Sequence, residues 1–361
     1  MEWPPRFAPL LGDWLTERER NGASHAADVL RMQIARWVLA GFPGGSRPLQ
    51  EEVFWFQSQH NPVYSRYLEL LGFHRDRHFE PGEVPFLPVE LFQTQDVLSV
   101  PEVGTWFRSS GTTGSRVSRH GVDDLSWYHA MARTGFERIY GDLAAWEVFA
   151  LLPGYVERPD ASLISMVQSW MPDGGEGRFG LENHRNWEGQ IHSRLTRSDR
   201  RILLIGVTHA LLDWVESGIP DAFLEAIQGR LVVMETGGMK GRRRELVRPE
   251  LRARLRAVLG DVAIHSEYGM TEMLSQAYAD ESGHFVPPPW LVPMVGEVDD
   301  PLAGAALGRT GRLRWIDLAN VHSCSFLATG DLGRWNAQAS GVEVLGRYDH
   351  AEVRGCNLMV V

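Results

Sequence analysis

A succession of short apolar runs through the middle of the chain does most to restrict its fold. Glu147-Val148-Phe149-Ala150-Leu151-Leu152 ends in Pro153-Gly154, and Arg201-Ile202-Leu203-Leu204-Ile205-Gly206-Val207 follows. Leu231-Val232-Val233-Met234 leads into Glu235-Thr236-Gly237-Gly238, and Val262-Ala263-Ile264 leads into Tyr268-Gly269-Met270-Thr271-Glu272. Runs this short and this continuously apolar read as strands buried on both faces. Helical spacing precedes them in Asp123 to Tyr140, where Trp127, Met131, Phe136 and Ile139 recur, and falls between them in His209 to Glu216. Strands alternating with helices argue for an α/β sheet covered on both sides. In such sheets ligands sit beyond the carboxyl ends of the strands, so the glycine-bearing exits are candidate site loops.

The flanks of this region differ from it. Ala26 to Ala40 has amphipathic spacing, with Val29, Leu30, Ile34, Trp37 and Val38 on one side, and Gly41 and Pro43 stop it. Helices are also expected over Glu51 to Gln57 and Pro62 to Leu71, with Pro62 in a first turn. Toward the other end, Gly311-Arg312-Leu313-Arg314-Trp315-Ile316-Asp317 alternates like a half-exposed strand, and Val342-Glu343-Val344-Leu345 is similar. These suggest a smaller β-rich subdomain.

One loop carries a chemical signature. Ser109-Ser110-Gly111-Thr112-Thr113-Gly114-Ser115 combines hydroxyls with two glycines. Glycine lets the backbone approach a ligand closely, and exposed N–H and hydroxyl groups can surround phosphate oxygens. The spacing is not that of a Walker loop. An ordinary surface loop has the same composition.

Composition excludes several classes. A formal net charge of -10 is a poor match for nonspecific nucleic-acid binding. No apolar run reaches the ~18 residues of a membrane helix, and the N-terminus lacks a secretory pattern. Cys324 and Cys356 are the only cysteines, too few for a disulfide framework or a zinc constellation. A reducing cytoplasm is the expected setting.

The Ser109–Arg116 loop, Tyr268-Gly269-Met270-Thr271-Glu272, Thr329-Gly330-Asp331-Leu332 and Gly346-Arg347-Tyr348-Asp349 fall in a set order. In that order they resemble the adenylate-forming superfamily of acyl-CoA synthetases and adenylation domains. Further stretches bring the chain nearer the acyl-protein synthetase (LuxE-like) family. They are Asn61-Pro62-Val63-Tyr64, Pro85-Phe86-Leu87-Pro88-Val89-Glu90-Leu91-Phe92, Glu235-Thr236-Gly237-Gly238 and Arg354-Gly355-Cys356. This likeness runs from about Val53 to the C-terminus.

The resemblance implies an α/β fold: a large adenylate-forming domain of helix-covered sheets over residues 1–345, with the small β-rich subdomain within about 290–345. A short tail, 346–361, would carry Cys356, and the mobile C-terminal domain of typical acyl-CoA synthetases would be essentially absent. It also implies ATP-dependent activation of a carboxylic acid, for instance a fatty acid, to an acyl-adenylate with release of pyrophosphate. The acyl group would pass to Cys356 and then to an acceptor protein, a reductase or carrier. Direct transfer to CoA or a carrier protein is the alternative enzyme, and a degenerate binding subunit is the non-enzymatic one.

By the same resemblance, Ser109, Ser110, Gly111, Thr112, Thr113 and Gly114 would hold the leaving phosphates, and Thr271 would reach the α-phosphate. Glu272 would bind Mg2+, an ion suited to carboxylate oxygen. Tyr268 would lie against adenine, with Gly237 and Gly238 allowing close approach, Asp331 would hold the ribose hydroxyls, and Arg347 would contact ribose or phosphate. Each has an ordinary alternative: Tyr268 as a core aromatic, Asp331 as a turn residue, Glu272 as a solvated or first-turn carboxylate, Arg347 as an ion-pair partner. Lys240, the only lysine, stands beside a site loop and either replaces the lysine of the missing domain or opens the exposed Arg242-Arg243-Arg244 run. Cys324 reads as a small buried residue.

Overall fold

The computed structural model describes residues 8–73, 78–109, 117–152, 160–172, 178–180, 184–237, 248–298, 300, 302–338 and 340–348. The expected positions Ser110, Gly111, Thr112, Thr113, Gly114, Gly238, Lys240 and Cys356 lie outside the described residues.

The chain begins with helices α1 (Pro9–Asn21), α2 (Ala26–Leu39), α3 (Arg47–His60) and α4 (Pro62–Leu70). A two-residue strand β1 (Leu87–Pro88) and a hairpin, β2 (Thr105–Arg108) with β3 (Arg119–Val122), precede α5 (Leu125–Tyr140). The central alternation is β4 (Trp146–Leu151), α6 (Ser162–Ser169), α7 (His184–Leu195), β5 (Arg201–Gly206), α8 (Thr208–Glu216), α9 (Asp221–Ile227), β6 (Leu231–Thr236), α10 (Arg248–Leu259) and β7 (Ala263–Tyr268). Strands then dominate: β8 (Ala277–Ala279), β9 (Phe285–Val286), β10 (Leu291–Gly296), β11 (Gly311–Asp317), β12 (Phe326–Trp335) and β13 (Val342–Arg347).

Strands β4 to β7 pair in parallel, in chain order. Their apolar runs are buried from end to end, apart from Arg201 at the start of β5 and partly open positions at the start of β7. Burial on both faces explains why the sequence shows no alternation there. Beyond β7 the sheet turns antiparallel and continues through β8, β9, β13, β12 and β11 to β10, with β1 added in parallel on β12. The expected β-rich segment is therefore joined to the parallel sheet by hydrogen bonds, through the single register pair Val342–Phe285.

Helix α2 departs from its expected face. Val29 is 49% exposed, while Asp28 and Arg31 are buried beside Leu30, Ile34 and Val38. The charges decide this. Arg31 donates to Asp28 (3.1 Å) and to both carboxylate oxygens of Asp123, so the helix turns its ion pair inward. The next residue, Asp124, caps α5 by accepting from the Trp127 N–H (3.0 Å). It also accepts from Trp14 Nε1 (2.9 Å) and Arg18 (2.6 Å) of α1. Although burial opposes it, hydrogen bonds from Ser126, Trp14 and Trp127 hold this carboxylate down to about 2. Ile139 of α5, expected on the buried stripe, is 40% exposed. Among the described residues, no helix is long and apolar enough to cross a membrane.

Candidate functional site

The carboxyl ends of β6 and β7 and the middle of β12 meet the mouth of the β2–β3 hairpin. Tyr268, the last residue of β7, is 9% exposed, and its ring packs at 5.5 Å from Trp315 and 5.8 Å from Phe285. Its hydroxyl donates to Asp331 Oδ2 at 2.7 Å. Asp331 lies inside β12, opposite Arg347 of β13 in the register. It is therefore a strand residue rather than a turn residue. Arg347 Nε stands 4.0 Å from Asp331 Oδ1, with its side chain 89% exposed. Burial pushes the Asp331 carboxyl above the usual carboxylate range, and the Tyr268 hydroxyl and Arg347 charge counter part of that. Burial, together with the neighbouring Asp331, drives the Tyr268 phenol well above its ordinary value, so it stays a donor.

Glu272 is buried immediately beyond β7. Burial raises its carboxyl, while a hydrogen bond from Ser118 and the charge of Arg347 oppose the rise. Ser118 links this carboxyl to the hydroxyl-rich loop. Its N–H donates to Ser109 Oγ at 3.0 Å, and its carbonyl accepts from the Ser109 N–H at 3.1 Å. Ser109 and Ser118 are thus held together in the extension of the β2–β3 hairpin, with Ser118 also bonded to Glu272. Among the described residues, no group of three or more His, Cys, Asp or Glu side chains forms a metal cage. One carboxylate suits Mg2+ arriving with a triphosphate, since that ion is commonly held by one or two carboxylates plus phosphates.

The backbone under Thr271 and Glu272 is fixed by two side chains not singled out from the sequence. His120 of β3 places Nδ1 2.7 Å from the Thr271 carbonyl and Nε2 3.1 Å from Asn320 Oδ1. Asn320 Nδ2 donates to the carbonyls of Glu272 (2.8 Å) and Cys324 (2.9 Å). Burial holds His120 down to about 4, against the opposing hydrogen bonds to Thr271 and Asn320. Neither residue lies in a recognisable motif. Only the spatial meeting of β3 with the turn after β11 reveals them. Cys324 is fully buried as expected, and burial pushes its thiol up to about 12, which leaves it inert.

At the β6 exit, Gly237 adopts φ +70, a conformation that favours glycine. Its carbonyl accepts from Thr208 Oγ1 at 2.7 Å. The same hydroxyl lies 2.7 Å from Glu235 Oε1, whose carboxyl is raised by burial. On the neighbouring position of β7, the buried Glu267 accepts from Thr236 Oγ1. Glu235 stands in the quoted Glu235-Thr236-Gly237-Gly238 stretch and Glu267 directly before Tyr268, and neither carries an expected role. A carboxylate next to a glycine-bearing strand exit was the available signal.

Of the expected site residues, Tyr268, Asp331 and Arg347 form one cluster, and Ser109, Glu272 and Thr271 are joined to each other through the hairpin. Gly237 lies at the adjoining strand exit.

Similar architecture occurs in solved structures. A 2-hydroxyisobutyryl-CoA ligase bound to 2-HIB-AMP and CoA matches with a TM-score of 0.55 and 15% identity, over 84% of this chain and 68% of that one. The same ligase in its postadenylation state with 2-HIB-AMP gives 0.57 and 15%, over 83% and 66%. The ATP-bound RpMatB-BxBclM chimera B1 gives 0.50 and 16%, covering 69% of this chain and 48% of the chimera. The chain thus spans about half the length of that chimera. No family model and no curated protein matches the sequence. The shared feature is the fold, a mixed α/β architecture with a large sheet flanked by helices.

Proposed function

We propose that this chain binds ATP and joins its AMP portion to a carboxylic acid, forming an acyl-adenylate and releasing pyrophosphate. The observation that carries the reading is the Tyr268–Asp331 hydrogen bond beside Arg347, at the carboxyl end of β7 and one turn of chain from Glu272. A buried aromatic face, a carboxylate able to accept two hydroxyls and an exposed guanidinium match the adenine, ribose and phosphate of a nucleotide in that order. Attack of the substrate carboxylate on the α-phosphorus spreads charge over phosphoryl oxygens. Positioning and electrostatic stabilisation then carry the catalysis.

In this reading the segment from Ser109 to Gly114 surrounds the leaving phosphates, Thr271 faces the α-phosphate, and Gly237 and Gly238 admit the adenine edge. Glu272 holds Mg2+, which offsets phosphate charge when bound. Lys240 contacts the carboxylate or the α-phosphate. Cys356 receives the acyl group as a thioester and delivers it to an acceptor protein, the finer assignment carried over from the acyl-protein synthetases. Direct transfer to CoA is the second reading, favoured by the CoA present in one of the structures of similar fold.

ATP–pyrophosphate exchange over a panel of fatty, aryl and short hydroxy or amino acids tests adenylation. Intact mass after incubation with ATP and a supporting acid tests Cys356. A hydroxylamine-sensitive adduct lost in Cys356→Ser supports the thioester route, and product formation that requires CoA without any adduct supports the second reading.

A further inference from the structure

Strand β7 presents different chemistry on its two faces. Alternation sends Tyr268 toward Trp315 and Asp331, and Glu267 to the other side. There Glu267 is opposite Thr236 of β6 and Tyr278 of β8 in the register. The Tyr278 ring meets Phe136 at 6.2 Å and Tyr140 at 5.6 Å, which identifies this as the face covered by α5.

Glu267 is only 7% exposed, and Oε2 accepts from Thr236. Oε1 takes no hydrogen bond from any described residue, and the Tyr278 hydroxyl is buried without a described partner. Polar atoms that become buried are normally paired, so a carboxylate oxygen with no donor among the described residues can take one from a bound molecule. Its direction is fixed by Gly269. A β-carbon at that position would lie 2.7 Å from Glu267 Oε1. Gly269 is itself exposed at the strand exit, so the carboxyl runs up the strand to just beneath the open surface. A side chain at position 269 would press on this carboxyl. Burial pushes Glu267 up to about 7, against the Thr236 hydrogen bond, which marks the cost of keeping an acid here.

We propose that Glu267 reads a hydrogen-bond donor on the substrate, so that the carboxylic acids this chain activates carry a hydroxyl or amino substituent. The inference rests on the adenylation reading above. A plain hydrocarbon chain laid over Gly269 would cover Oε1 without giving it a hydrogen bond, whereas a donor supplies one. Sites built to bond a substrate donor discriminate strongly against analogues that lack it.

The test is ATP–pyrophosphate exchange with wild-type protein, using straight-chain acids, their hydroxy-substituted analogues and their amino-substituted analogues at matched length. The expected result is a kcat/KM at least about tenfold higher for a donor-bearing series. Hydroxy and amino arms identify which donor is read. In Glu267→Leu that ratio falls toward one, and Glu267→Gln, which keeps a carbonyl acceptor, retains part of it. Exchange with unsubstituted acids at equal or greater kcat/KM overturns this inference and leaves adenylation standing. Exchange with no acid at all overturns both. The wild-type comparison decides the matter even where the leucine variant does not fold.

Discussion

The Tyr268 hydroxyl donates to Asp331 at 2.7 Å across a sequence separation of 63 residues, linking the end of a parallel strand to the middle of an antiparallel one. This contact fixes the carboxylate from one side and leaves its other oxygen toward Arg347. Tyr268→Phe should therefore weaken ATP binding by roughly 5- to 30-fold, the equivalent of about 1–2 kcal/mol. Asp331→Asn should cost at least as much. Titration calorimetry on the two single variants and the double variant should show coupling, because both act on one hydrogen bond. Fully additive losses would contradict a shared role.

Asn320 supports the turn after β7 through backbone carbonyls, including that of Glu272, and touches none of the side chains assigned to nucleotide. Asn320→Ala removes donors from the buried carbonyls of Glu272 and Cys324. The expected loss is about 1–3 kcal/mol in urea unfolding. A positioning role further predicts a lower kcat in exchange at temperatures where the variant is fully folded. A stability loss with kcat unchanged would make Asn320 purely structural.

The parallel half of the fold was legible because β4 to β7 are buried on both faces and leave continuous apolar runs. Helix α2 was partly misread, since hydrophobic spacing carries no information about an inward ion pair such as Arg31 with Asp28 and Asp123. Tyr268, Glu272, Asp331 and Arg347 were legible as motifs, but their meeting depends on β12 and β13 lying across the sheet from β7. His120 and Asn320 were not legible at all. Their function is to hold backbone carbonyls, and any residue with suitable donors at those points in space would do so. Glu267 was overlooked because it sits one residue before a motif that drew attention to itself.

Arg31 gives the largest expected stability effect. Its side chain is 1% exposed and pairs with the buried Asp28 and with Asp123, whose side chain is 9% exposed. Arg31→Met leaves those carboxylates without their partner, which should cost about 3–5 kcal/mol. Chemical denaturation checks the value. A loss below about 1 kcal/mol would mean that His25 or His322 takes over the compensation.

Glu267 also gives stability a pH dependence. In an unfolded chain glutamate titrates near 4.3, roughly. In the folded protein burial moves Glu267 to about 7. Between those values the folded form keeps a proton that the unfolded form has released. Its contribution to stability is therefore greatest below about pH 4.3, falls through about pH 7, and stays low above that. Glu267→Gln should raise the melting temperature relative to wild type at pH 8, with the difference shrinking toward pH 5. A gap independent of pH would show that the carboxyl does not titrate in this range.

The central claim is adenylation at the cluster of Tyr268, Asp331, Arg347 and Glu272, and acid-dependent ATP–pyrophosphate exchange measures it most directly. Wild-type protein should incorporate labelled pyrophosphate into ATP only when a suitable carboxylic acid is present, and Glu272→Ala should lower that rate by about 100-fold or more. Exchange absent across the whole acid panel, or undiminished in Glu272→Ala, would contradict the account.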